Sequence, residues 1–234
     1  MHSENTQKTR IRLWDFPVRL FHWALVVAIA TAWWTNQEAI INIHELAGYS
    51  VLALVLFRIV WGFVGSSNAR FKSFVKSPFA ALSYLRKLPK GSEEELAYAG
   101  HNPAGGLMTV VLLVLVAVQA FTGLFASENT FLFFDGPLVK YVPSGFAEAM
   151  NFVHHANINL IYIAVGLHVV AAIGYLFLKN ENLIGAMITG TRKVPVSIAA
   201  RFNAISFKPA WFGVVLLVIC GGVVAALITL ARAG

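Results

Sequence analysis

Cysteine is almost absent from this chain. Of 234 residues only Cys220 is one, and it sits inside an apolar run. That excludes a disulfide framework, a Cys-x-x-Cys-His attachment motif and thiolate ligation of an iron–sulfur cluster. Cys220 reads as a small apolar packing residue. Charge is scarce as well. Only 12% of the residues are Asp, Glu, Lys or Arg, against about 25% in soluble domains. Apolar residues make up 58% and the mean hydropathy is +0.69, which excludes a soluble globule and points to a polytopic membrane protein. The polar stretches are too short to fold a second domain. Acidic residues are scarcer than basic ones, 11 against 18, for a net charge of +7. A basic balance can mark a nucleic-acid binder, but here the placement of the charges has a better explanation, and no nucleic-acid partner is expected.

Long apolar runs are what the chain does have. Five are long enough to span a hydrocarbon core of about 30 Å: Phe16–Trp34, Ile43–Val64, Leu107–Phe125, Phe152–Leu178 and Trp211–Leu230. The opening MHSENTQKTRIRLWDFPVR lacks an early apolar core, so the first run is expected to be retained as a span rather than cleaved as a signal. Fifteen of the eighteen basic residues fall before the first span or, as Arg19, in its first turn, between the second and third, or between the fourth and fifth. Lys140 and Arg232 lie on the opposite side and Arg58 within the second span. The positive-inside rule then places the N-terminus in the cytoplasm and the C-terminus outside, with lipid as the first partner. The segment Ser77–Leu88 mixes apolar and basic residues at helical spacing and is expected to lie along the inner surface. The outer stretch Ser127–Asn151 is read as a loop, either packed over the bundle or acting as a lid or docking patch.

Histidine supplies the chemistry. His154 and His168 stand fourteen residues apart in the fourth span, which is about 21 Å of helix and almost four whole turns. Both therefore face one side at two depths. Ionisable groups inside a membrane are costly and mark function. His22 lies near the inner end of the first span, and His44 near the outer end of the second. Depth pairs His44 with His154 and His22 with His168. Each pair could give two axial imidazoles to one haem iron. His155 competes with His154, but it is thirteen residues from His168 and so points to a different face. Imidazole pairs without carboxylate or thiolate company suit tetrahedral zinc poorly. Gly48, one turn after His44, would let a flat macrocycle approach the backbone, or serve ordinary helix packing. Arg58, fourteen residues after His44, and Arg19, three before His22, are candidates to grip a haem propionate; Arg19 is equally a positive-inside anchor.

The motifs Trp14-Asp15-x-Pro17-x-Arg19-Leu20-Phe21-His22-Trp23, His44-x-x-x-Gly48-Tyr49, Arg58-x-x-Trp61-Gly62-Phe63, Ala69-Arg70-Phe71, Gly100-His101-Asn102-Pro103-x-Gly105-Gly106, Gln119-x-x-Thr122-Gly123 and Ala186-Met187-x-Thr189-Gly190 occur in this order. On these the chain, from about Leu13 to Lys193, resembles the bacterial cytochrome b561 family, which includes the cytochrome b subunits of nickel hydrogenases. The resemblance implies an all-α integral membrane bundle: a four-helix dihaem core, residues 1–193, to which residues 194–234 add a fifth C-terminal transmembrane helix. It implies two non-covalent haem b groups held by His22, His44, His154 and His168, and electron transfer across the inner membrane between a quinone pool and a partner redox protein.

The leading expectation is a dihaem electron conduit between quinone or quinol and a periplasmic c-type cytochrome or other redox subunit. A superoxide:quinone oxidoreductase is the second. It would want cationic steering at the outer face, where Lys140 is the one basic loop residue. A haem-containing membrane anchor of a redox enzyme such as a hydrogenase is the third, and a transporter a more distant one. The chain shows no internal repeat of the transporter kind.

Overall fold

The computed structural model describes residues 7–87, 100–128 and 134–234. His2, Lys90 and the Phe131–Phe133 part of the outer loop lie outside them. The chain is a helical membrane bundle. Five helices are long and apolar enough to cross a membrane: α1 (Phe16–Gln37), α2 (Ile41–Val64), α5 (Pro103–Gly123), α6 (Ser144–Leu178) and α9 (Ala210–Ala233). The short helices α3 (Phe71–Phe74), α4 (Pro78–Lys87), α7 (Leu183–Thr189) and α8 (Val196–Ala199) stand between them, with strands β1 (Lys8–Arg12), β2 (Ser127–Glu128), β3 (Phe134–Asp135) and β4 (Thr191–Pro195). The helix α4 coincides with the segment expected to lie along the inner surface.

Three features differ from the sequence expectation. The fourth span does not begin at Phe152, because α6 starts at Ser144, inside the stretch read as a loop. Hydropathy marks where a helix meets lipid. The helix itself continues through Ala147, Glu148, Ala149 and Met150, all tolerated well in helices, and the Phe146 and Ala147 amides bond back to the Pro143 carbonyl. The third span is likewise shifted towards the chain start, Pro103–Gly123 rather than Leu107–Phe125. Two antiparallel ribbons, β1–β4 and β2–β3, accompany the helices.

The chain forms two compact units. The first comprises Met1–Arg19, Val60–Val110 and Leu167–Gly213; the second comprises Leu20–Ile59, Val111–Gly166 and Val214–Gly234. In the first, β1 and β4 pair from Lys8↔Pro195 to Arg12↔Thr191. The Leu13 and Trp14 amides then donate to the Gly190 carbonyl at 2.8 and 3.2 Å. Asp15, almost fully buried, caps α1: its Oδ1 accepts from the Val18 amide at 2.8 Å and its Oδ2 from the Trp61 indole at 3.1 Å. Pro17 sits in the first turn, where a missing amide costs nothing. Gly213 of α9 meets Pro17 and Trp61 so closely that no side chain would fit.

In the second unit, Leu124 and Phe125 form a buried cluster with Val224 and Ile228 of α9. Tyr49 and Leu52 of α2 pack on it, as do Leu138 and Val142 from the connection between α5 and α6. The Gly136 amide donates to the Ala126 carbonyl and the Leu138 amide to the Leu124 carbonyl, so this part of that connection is packed down. The fifth helix is thus built into the cores of both units rather than lying loose.

Candidate haem-binding site

The site is clearest in the second unit, where α2 carries His44 and α6 carries His154. Their ring centroids are 6.4 Å apart and the ring planes stand at 82°. An imidazole nitrogen binds a metal at about 2 Å, so two rings on opposite sides of one ion have centres about 6 Å apart. His44 Nδ1 lies 2.8 Å from the Ala32 carbonyl of α1. His154 Nδ1 lies 3.0 Å from the Gln119 carbonyl of α5 and 3.2 Å from the Thr122 hydroxyl. A carbonyl only accepts, so both Nδ1 atoms carry the proton and both Nε2 atoms keep a lone pair. A ring nitrogen tied to a backbone carbonyl while the other faces the metal is how metal-bound histidines are oriented.

His154 is held further by neighbours. The Gln119 amide donates to the His154 carbonyl at 3.0 Å, and the Asn157 amide donates to Gln119 Oε1 at 2.8 Å and to the Leu115 carbonyl at 2.9 Å. Gly123 faces the ring: a Cβ there would stand 3.0 Å from His154 Cε1. His155, by contrast, is exposed, and its Nδ1 donates to the Asn151 carbonyl one turn back on its own helix. Beside Gly48 there is open space, with nothing within 4 Å of where a Cβ would be. Arg58 is buried within α2. In the sequence Gln119, Thr122 and Gly123 carry only a family likeness, and Asn157 is marked only as a polar residue three positions after His154, with Asn159 two further on, in an otherwise apolar stretch.

The remaining candidates are placed unit by unit. His22 belongs to the second unit, half-buried, its ring edge-on to Trp23 at 4.9 Å. His168 and Arg19 belong to the first. Arg19 donates from Nη1 to the Ile188 carbonyl at 2.5 Å, and its buried Nε has no hydrogen-bond partner among the described residues. A carboxylate would satisfy it. His101 packs between Trp14 and Phe74, centroids at 4.9 and 4.8 Å, with Nε2 3.1 Å from the Thr109 hydroxyl. Next to it is a cavity of about 80 Å³ lined by Tyr84, His101, Asn102, Tyr175, Glu181 and Arg192. The Tyr84 and Tyr175 hydroxyls lie 2.7 Å apart, and the Asn102 amide donates to Tyr175 at 2.7 Å.

Among the described residues no third His, Cys, Asp or Glu joins a pair to form a metal-binding group. Two imidazoles on neighbouring membrane helices, with a side-chain-free approach at Gly48, suit haem. The class is therefore a haem-binding helical membrane protein. A model of the prokaryotic cytochrome b561 family matches residues 13–190, and the chain belongs to that family. It is similar to a probable Ni/Fe-hydrogenase B-type cytochrome subunit of Rhizobium leguminosarum bv. viciae, 24% identical over 230 residues that cover 82% of this chain and 92% of the relative. The corresponding Azotobacter vinelandii protein is 26% identical over 221 residues, 80% of this chain and 90% of the relative. That of Rhodobacter capsulatus is 23% identical over 224 residues, 80% and 82%. No solved structure matches the chain. The family makes haem b the cofactor and electron transfer in a membrane the work.

Proposed function

We propose that this protein carries electrons across the bacterial inner membrane through two b haems, one between His44 and His154 and one between His22 and His168, between a quinone pool and a redox partner at the outer face. The observation that carries this reading is the His44–His154 pair, 6.4 Å between centroids with each Nδ1 tied to a carbonyl. Haem, when bound, supplies a one-electron carrier whose potential the protein tunes through ligands and surroundings. The chain's own residues do the rest. The carbonyls of Ala32 and Gln119 fix the tautomers of the two imidazoles. Gly48 and Gly123 clear space, and Arg19 and Arg58 offer cationic partners for propionates. We keep residues 1–193 as the haem-binding core and 194–234 as its added helix.

The cavity beside His101 supports a quinone end. It brings hydroxyl and amide groups of Tyr84, Tyr175 and Asn102 together, the donors a quinone's carbonyl oxygens would use. The relatives favour a redox enzyme subunit over a soluble c-type cytochrome as the outer partner, since their names describe a hydrogenase B-type cytochrome subunit. Superoxide oxidation is the weaker reading: the second unit has three basic against five acidic residues, and an anion would not be steered there.

The deciding experiment is haem quantification with reduced-minus-oxidised spectra on the purified protein and its four histidine variants. Two haems per chain are expected. His44→Ala and His154→Ala should each lose the same one, and His22→Ala and His168→Ala the other. A single haem in the wild type, or variants of one pair that lose different haems, would overturn the assignment.

A further inference from the structure

The helix α9 lies beyond the stretch that matches the family, and its far end is bonded to the turn that carries His44. Arg232 Nη2 donates to both Glu45 carboxylate oxygens at 2.6 Å. It also donates to the Tyr49 hydroxyl at 3.2 Å, and Tyr49 in turn donates to Glu45 Oε1 at 2.9 Å. The Glu45 side chain is only 10% exposed, so its charge needs these partners. The Tyr141 hydroxyl, from the connection between α5 and α6, holds the Ala231 carbonyl at 3.0 Å, and Val224 and Ile228 seat the same helix in the buried cluster under Tyr49. Glu45 follows His44 in sequence, and Tyr49 follows Gly48.

We infer that α9 is a positioning element for the His44–His154 centre, and that Arg232 sets its redox potential by neutralising Glu45 beside the ligand. This rests on the reading that His44 binds haem. Glu45 alone would place an uncompensated anion one residue from the ligand. An anion stabilises the ferric over the ferrous state, because the ferric form carries one more positive charge. Arg232 cancels that field, and the bidentate grip with the Tyr49 bond keeps α2 in one register against α9. The pair is partly screened from water at the carboxylate end and exposed at the guanidinium end, where the Arg232 side chain is 52% exposed. Its influence therefore runs through Glu45.

A redox titration of the full-length protein, followed by haem absorbance, tests this on R232Q, R232K, E45Q and the E45Q/R232Q double variant, with H44A in parallel. R232Q is expected to shift the midpoint of the His44–His154 haem to lower potential and E45Q to higher potential. R232K and the double variant should stay near the wild type, and the other haem should not move. Unchanged midpoints in both single variants, or shifts of the same sign, overturn the proposal. If the Arg232 variants do not fold, E45Q alone decides: an upward shift supports the proposal and no shift overturns it. H44A separates the two levels. If it keeps both haems, the ligand reading fails; if it loses one while R232Q and E45Q titrate as wild type, only the role of α9 fails.

Discussion

At the residue scale the histidines are informative only with their carbonyl partners. A ring nitrogen bonded to a carbonyl has its tautomer set, and for His44 and His154 the same nitrogen, Nδ1, is engaged. The residues that achieve this are not themselves ligands. Gly123 admits the His154 ring, with 3.0 Å between an imagined Cβ and Cε1, so Gly123→Val should push the ring aside and remove the haem bound there while leaving the other. Haem content per chain measures it. Asn157→Leu leaves Gln119 Oε1 and the Leu115 carbonyl without their donor in a membrane interior. A buried polar group left unsatisfied costs about 1–3 kcal/mol. The thermal midpoint should fall, with both haems kept in the folded protein at low temperature. His155→Ala should change neither haem content nor spectrum, since that ring is exposed, its Nδ1 bonds to the Asn151 carbonyl of its own helix, and it meets His154 only edge-on at 5.9 Å. At the cavity, Tyr175→Phe should slow quinol-dependent haem reduction by roughly tenfold, the rate equivalent of one hydrogen bond of about 1.4 kcal/mol. Haem content would be unchanged.

At the element scale the sequence was most legible where one physical period dominates. Four of the five spans could be placed within a few residues, because an apolar helix about 20 residues long is close to a necessity of the bilayer. The start of α6 was not legible. Lipid exposure ends near Phe152, but nothing ends the helix until Pro143 and Ser144, and hydropathy is blind to that difference. The ribbon of β1 and β4 was missed for another reason. Its five-residue strands are 179 positions apart at the Arg12↔Thr191 pair, and a long-range pairing leaves no local pattern. What anchors it is Gly190, in the left-handed region at φ +79°, whose carbonyl takes both the Leu13 and Trp14 amides. A Cβ there would also stand 2.9 Å from the Trp14 carbonyl oxygen. Gly190→Ala carries about 1–2 kcal/mol of backbone strain before that contact is counted. A loss of this size lowers a thermal midpoint by about 2–8 °C in a chain of this length. Thermal unfolding of the detergent-solubilised protein would read it. The motifs around Asp15 and Trp61, visible in sequence only as family likeness, acquire a cause here: one buried carboxylate caps α1 and accepts the indole of α2.

At the scale of the whole molecule, charge separates more cleanly than either residue motifs or helix boundaries suggest. The first compact unit holds fifteen of the eighteen basic residues and six of the eleven acidic ones, which leaves it at +9. The second holds three basic and five acidic residues, which leaves it at −2. This polarity was readable in the sequence once the spans were drawn, because each span carries the chain from one unit to the other. Translocating a short cationic segment is unfavourable, and Lys and Arg near span ends set orientation while acidic residues contribute little. The N-terminus, Arg70, Lys72, Arg86, Lys87 and the β4 residues Arg192 and Lys193 are therefore expected on the cytoplasmic side. The C-terminus after Arg232 is expected in the periplasm. Reporter fusions measure this directly. An alkaline phosphatase fused after Gly234 should be active and a green fluorescent protein at the same place dark, with the reverse for fusions made between α4 and α5. The opposite pattern would put the His44–His154 pair at the cytoplasmic face and reverse the quinone and partner ends. Because only Lys140 and Arg232 lie in the outer regions, adding several lysines to the connection between α5 and α6 should produce mixed topology. The same number added beside Arg70 should leave the topology unchanged, because that side already carries the dominant charge.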